Sequence, residues 1–180
     1  MTGEVFKKPV PKEALDYFNS KDLKIGFDYR DVWRAEHAYS FTVAKAMTVD
    51  ILEDIQGAVS KAIKEGKTFH QFQKELKPIL QQKGWWGRKD MRDPLTGEIK
   101  DVQLGSPRRL KTIYRANMRT ARGAGKWERI QRTKAALPYL LYQLGPSEHH
   151  RPEHVAWDGI MLPADDPFLA NAFHTQWMGL

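Results

Sequence analysis

Ser106–Lys134, SPRRLKTIYRANMRTARGAGKWERIQRTK, is the longest run in the sequence that a single helix explains. Ser106 suits the N-cap, and Pro107 suits the first turn, where a missing N–H costs nothing. Leu110, Ile113, Tyr114, Asn117, Ala121 and Ala124 recur at helical spacing and form the side expected to be buried. On another side Lys111, Arg115, Arg119, Arg122, Lys126 and Arg129 recur every three or four residues, which lines up their charged heads. Glu128 is the one acid set against them. With Arg108 and Arg109 at the start, these cations have the spacing to track a phosphate backbone, as positioning contacts without base specificity. The plain alternative is a solvated face that keeps the rod soluble. Gly123 and Gly125 lower helix propensity and mark either a kink or the close approach of another backbone.

The surrounding composition fits that reading. The chain of 180 residues carries a net charge of +7, and its pI is about 9.5. Nucleic acid, an acidic protein surface and an anionic membrane are all partners such a charge admits. Zero cysteines exclude disulfides, thiolate metal sites and a cysteine nucleophile in this chain. There is no apolar run long enough to cross a bilayer, and the first residues lack a signal peptide's apolar core, so synthesis in the cytosol is expected. Six tryptophans offer large packing surfaces and argue against a disordered tail.

Upstream of the basic rod the chain reads as helices. Met1–Pro11 is expected to be an extended arm, and Pro11 to open a short helix with Ala14, Leu15 and Phe18 on its contact face. Asp28 to Lys64 reads as a second long helical stretch. Val32, Trp33, Ala35, Phe41, Val43, Ala44, Met47, Ile51, Ile55, Val59 and Ile63 mark its apolar side, and Gly66 its stop. Thr68 caps a third helix with Phe69, Phe72, Leu76 and Leu80 as its stripe, bent or shortened by Pro78. His37 and His70 stand in these helices without neighbouring ligands and read as surface or core histidines. Trp85 and Trp86 between Gly84 and Gly87 suggest an aromatic packing corner. Asp93-Pro94-Leu95-Thr96-Gly97 supplies turn chemistry for a hairpin.

After the rod, Leu137 to Leu144 reads as a strand, and the remaining tail gathers the most chemically capable groups. A turn of helix through Glu153–Trp157 would set His154 and Asp158 on one face, where they could chelate a divalent ion or share a proton. A metal-assisted nuclease using His149, His154 and Asp158 is therefore one reading. A zinc site, however, would need further ligands such as Asp165, Asp166 or His174. A protein adaptor whose basic stripe meets an acidic surface is another reading.

Arg151-Pro152-Glu153-His154, Trp157-Asp158-Gly159 and Leu162-Pro163-Ala164-Asp165-Asp166-Pro167-Phe168 together resemble the phage Mu F-like minor head protein, or phage head morphogenesis, family. The resemblance extends through Ala121, Gly125, Trp127 and Glu128, the Gly84–Lys89 and Asp93–Glu98 strings, Leu104–Leu110, and Phe41–Ala46. Membership implies a low-copy structural component of the virion head, present in the host cytoplasm during assembly and associated with the portal protein and packaged phage DNA. It implies no catalysis and no cofactor. Some relatives carry extra C-terminal toxin or transferase domains, for which this chain leaves no length. Family members run on from the Asp-Asp-Pro-Phe segment into PPNGWGC and a Cys-x-Cys pair, where this chain reads His174-Thr175-Gln176-Trp177-Met178-Gly179-Leu180. Written as CAC ACC CAA TGG ATG GGG CTG and read one base along, those residues give Thr-Pro-Asn-Gly-Trp-Gly. A frameshift upstream of the missing cysteines is thus expected. In intact relatives the resemblance implies that His154 joins the cysteine pair in a metal or packing cluster; here the tail after Phe168 is expected to be poorly held.

The expected fold is α+β: predominantly helical, with a long central basic helix, a hairpin excursion and a small β-containing C-terminal part. The expected division is an N-terminal helical region over 1–83 and a head-morphogenesis core over 84–180.

Overall fold

The computed structural model describes residues 12–28 and 39–172. The expected arm over Met1–Pro11, the expected helical residues Val32, Trp33, Ala35 and His37, and the chain from Phe173 onward lie outside the described residues.

Six helices and three small strand pairs are described, so the chain is α+β and predominantly helical. α1 is Lys12–Asn19, with Ala14 and Phe18 buried. α2 (Val49–Glu65) buries Ile51, Leu52, Ile55, Val59, Ala62 and Ile63 at the three- and four-residue steps of a helical stripe. It ends at Gly66, whose φ of 64° and N–H donated to the Ala62 carbonyl make a left-handed cap. α3 (Phe69–Gln82) opens on a capping box: the Thr68 hydroxyl accepts from the Gln71 amide while the Gln71 side chain accepts from the Thr68 amide at 2.9 Å. Pro78 lies within α3 without ending it.

Of the helix expected over Asp28–Lys64, the described residues 39–48 are not helical and helix begins with α2 at Val49. Before α2, β1 (Asp22–Leu23) runs parallel to β2 (Ser40–Phe41), and Gly26 forms an antiparallel bridge with Ala46. Phe41 and Val43 are buried between partly exposed neighbours, the two-residue period of extended chain. Lys45 at φ 66° closes off helical geometry there.

β3 (Arg88–Arg92) and β4 (Ile99–Gln103) form the expected hairpin, with Asp90 opposite Asp101. Its turn is held by the Asp93 carboxylate, which accepts from the Leu95 amide at 3.0 Å, and by Gly97 at φ 72°. α4 (Pro107–Thr133) follows unbroken, capped by Ser106, whose hydroxyl accepts from the Arg109 amide. The main core draws on Ala14 and Phe18, the stripes of α2 and α3, Trp85, Leu104, and Leu110, Met118 and Ala121 of α4. It therefore crosses the 83/84 boundary.

Close approach, not a kink, accounts for Gly125. A Cβ there would stand 3.1 Å from the Ala14 backbone nitrogen, so α1 rests against α4 at a notch of small residues. The last part is a small module: β5 (Tyr139–Leu141), α5 (Pro152–Trp157), β6 (Met161–Pro163) and α6 (Pro167–Ala172). β5 and β6 pair antiparallel, with Leu140 opposite Leu162. The Gln131 side-chain amide donates to the Ala164 carbonyl at 2.9 Å and ties the module to the end of α4. The chain beyond Phe168 continues as helix to Ala172, with Leu169 buried.

Candidate nucleic-acid interface

α4 presents two opposed sides. Leu110, Met118, Thr120, Ala121, Gly123, Ala124 and Gly125 are buried, and Ile113, Tyr114 and Asn117 are partly so. Tyr114 anchors the buried side by donating its hydroxyl to the Lys67 carbonyl at 2.6 Å while its ring packs on Phe69 and Phe72.

Arg108, Lys111, Arg115, Arg119, Arg122, Lys126 and Arg129 are all exposed. At about 100° per residue they occupy roughly a quarter of the helix circumference, and Arg108 to Arg129 spans about 32 Å at about 1.5 Å per residue. Among the described residues, no carboxylate pairs with Arg108, Lys111, Arg115, Arg119 or Arg122. Near the far end, a backbone hydrogen bond, then the Arg132 ion pair and least of all the charge of Arg129, lower the Glu13 pKa. Arg132 itself is occupied, pairing with Glu13 at 2.5 Å. The result is a continuous cationic ridge along the outer side of the rod.

Arg109 does not belong to that ridge, which corrects its place among the phosphate contacts. Its guanidinium donates to the carbonyls of Gln103, Leu104 and Ala44 and lies 5.1 Å from the centre of the Trp85 ring. Burial lowers its pKa. The Trp85 indole N–H donates to the Lys45 carbonyl at 2.9 Å, so Arg109 and Trp85 together lock the 44–45 turn against the foot of the hairpin and the start of α4. The expected aromatic corner is thus a structural clamp. Gly105 fits beneath it because a Cβ would stand 2.6 Å from both the Trp85 carbonyl oxygen and the Trp86 ring.

The tail motif builds the C-terminal module. Arg151 occupies the N-cap of α5 and Pro152 its first turn; Gly159 takes φ 78°; Pro163 ends β6. Asp166 accepts from the Phe168 amide at 2.8 Å, with Pro167 opening α6, and the neighbouring Asp165 is exposed. His154, Trp157, Tyr142 and Phe168 form a chain of ring contacts, with the Tyr142 hydroxyl at His154 Nδ1. Tyr142 was not singled out by the sequence, where it is one more apolar position of a strand.

His154 and Asp158 do not share a helical face as expected. Asp158 has already left the helix with ψ 129°, and its carboxylate accepts from the Leu144 amide at 2.9 Å. Among the described residues no group of three or more His, Asp or Glu side chains is placed to hold a metal ion, so His149, His154 and Asp158 are not gathered as the nuclease reading requires. No described helix is long and apolar enough to cross a membrane.

The sequence that builds the basic helix and the module at its end is matched by one family model. The phage Mu protein F-like model covers residues 53–177, and the chain belongs to this family. It is 40% identical over 158 residues to capsid assembly protein F of Escherichia phage Mu, covering 88% of this chain and 36% of the relative. It is also 36% identical over 145 residues to the Mu-like prophage FluMu F protein of Haemophilus influenzae, covering 81% of this chain and 34% of the relative. The chain spans about a third of the length of these curated relatives. No solved structure matches significantly.

Proposed function

We propose that this chain acts in phage head assembly as a minor head component. In this reading it associates with the portal protein and lays the α4 ridge against packaged DNA, first in the host cytoplasm and then in the virion head. Family membership and a relative named for capsid assembly support the structural part of the reading, which requires no turnover.

The observation that carries the DNA contact is the exposed row Arg108, Lys111, Arg115, Arg119, Arg122, with no carboxylate partner among the described residues. Like charges four residues apart, such as Arg115 and Arg119, cost a helix about 0.2–0.5 kcal/mol per pair. Charge pairing within the row therefore works against the helix, whereas a polyanion laid along it gains by releasing counterions.

Replacing Arg115, Arg119 and Arg122 by Gln tests this. The slope of log affinity for duplex DNA against log salt should flatten by roughly 2–3, since each B-DNA phosphate contact contributes about 0.9. An unchanged slope would remove the assignment. Portal association is checked by co-purification after nuclease treatment, and incubation of DNA and RNA with divalent ions should leave both intact.

A further inference from the structure

The C-terminal module holds a shallow cleft of about 250 Å³ that the ridge does not use. Tyr142, Ser147, His149, His150, Arg151 and His154 supply its polar lining. Among the described residues no carboxylate lines it. Asp158, nearby in sequence, is turned to the Leu144 amide, while Glu148 and Glu153 are exposed outside the lining.

We propose that this cleft binds a phosphate group. A guanidinium offers a planar fork of donors that fits phosphate oxygens, and each neutral imidazole adds an N–H. The cleft's framework is fixed from within. Ser147 donates its hydroxyl to the His149 carbonyl at 3.0 Å, and its amide donates to the Gly145 carbonyl at 2.8 Å, folding the loop that carries the histidines. The Tyr142 hydroxyl occupies His154 Nδ1, leaving Nε2 as that ring's open nitrogen.

Size and chemistry narrow the ligand. Organic ligand sites run from about 300 to 1,000 Å³, so this smaller cleft suits a single anionic group and not a whole cofactor. Free phosphate and the phosphodiester of a nucleic acid present this same chemistry.

The full chain is titrated with sodium phosphate, and with sodium chloride at equal ionic strength, while the histidine imidazole resonances are followed by NMR. In a second arm, a short DNA duplex is added to the chain already carrying Arg115→Gln, Arg119→Gln and Arg122→Gln, so that failure of the ridge reading leaves this result intact. Saturable shifts of His149, His150 and His154 with inorganic phosphate, weakened at least tenfold by Arg151→Gln or His150→Ala, are expected. Saturation with the duplex alone supports the site with a phosphodiester as its ligand. Shifts no larger than those in chloride in both arms, or binding unchanged in both variants, would overturn the proposal.

Discussion

The guanidinium of Arg109 lies 5.1 Å from the centre of the Trp85 ring, joining the first turn of α4 to the aromatic corner before the hairpin. Its neighbour Arg108, one residue earlier, is exposed. Arg109→Gln should therefore lower stability by about 1–3 kcal/mol, because the part-buried Leu104 and Ala44 carbonyls lose charged donors. Arg108→Gln should stay within about 0.5 kcal/mol of the parent. Urea denaturation of the two variants compares them directly, and equal midpoints would refute the clamp.

Two glycines should respond in opposite directions. Gly57 sits exposed within α2 with nothing within 4 Å of an added Cβ, so Gly57→Ala should stabilise by about 0.5–1 kcal/mol through helix propensity. Gly105→Ala would drive a methyl to 2.6 Å from the Trp85 carbonyl and should destabilise by at least about 2 kcal/mol. Thermal melts of both variants provide the comparison.

Lys21 and Tyr17 give stability a pH signature. Burial lowers the Lys21 pKa to about 8 from 10.5, so between those values the unfolded chain binds more protons and stability rises with pH. Burial, with a further contribution from Tyr39, raises the Tyr17 pKa to about 12 from 10.0, so above pH 10 the folded chain holds the extra proton and stability falls. Denaturation midpoints should climb from about pH 8 toward 10, by an amount on the order of 1–3 kcal/mol, and then turn over. Lys21→Met should abolish the climb and keep the descent; a Lys21→Met profile that still climbs would rule out this source.

The core and the C-terminal module should unfold unequally. Leu110 is fully buried in the main core, and Leu110→Ala should cost about 2–5 kcal/mol and speed exchange of protected amides throughout α2, α3 and α4. Trp157 belongs to the separate ring chain with Tyr142, His154 and Phe168. Trp157→Ala should speed exchange in β5 and β6 while leaving α2 protected. Hydrogen exchange read residue by residue distinguishes the two patterns.

Local signals made much of this architecture legible. The Thr68 cap, the Gly66 stop, the Asp93–Gly97 turn and the Ser106-Pro107 start each act within a few residues of themselves, and the structure has each at its expected place. The β1–β2 pair is different: Asp22 meets Ser40 across an intervening stretch, and no periodicity within either strand announces a partner that distant. Phe41 and Val43 fit a helical pattern as well as an extended one, because short apolar runs match both periods. Arg109 was misplaced by its charge alone. One residue turns a helix by about 100°, and that step carries Arg109 off the line of Arg108, Lys111 and Arg115 toward the side of Ile113. The His154–Asp158 pairing failed because α5 ends at Trp157, one residue too soon.

The notch at Gly125 lets α1 rest directly on the rod, and the buried residues of α4 lie on that inner flank. On its outer flank, Arg108, Lys111, Arg115, Arg119 and Arg122 pair with no carboxylate among the described residues. Charge density there can be raised or lowered one side chain at a time without disturbing the helices beneath, as an adjustable grip mounted on a fixed handle.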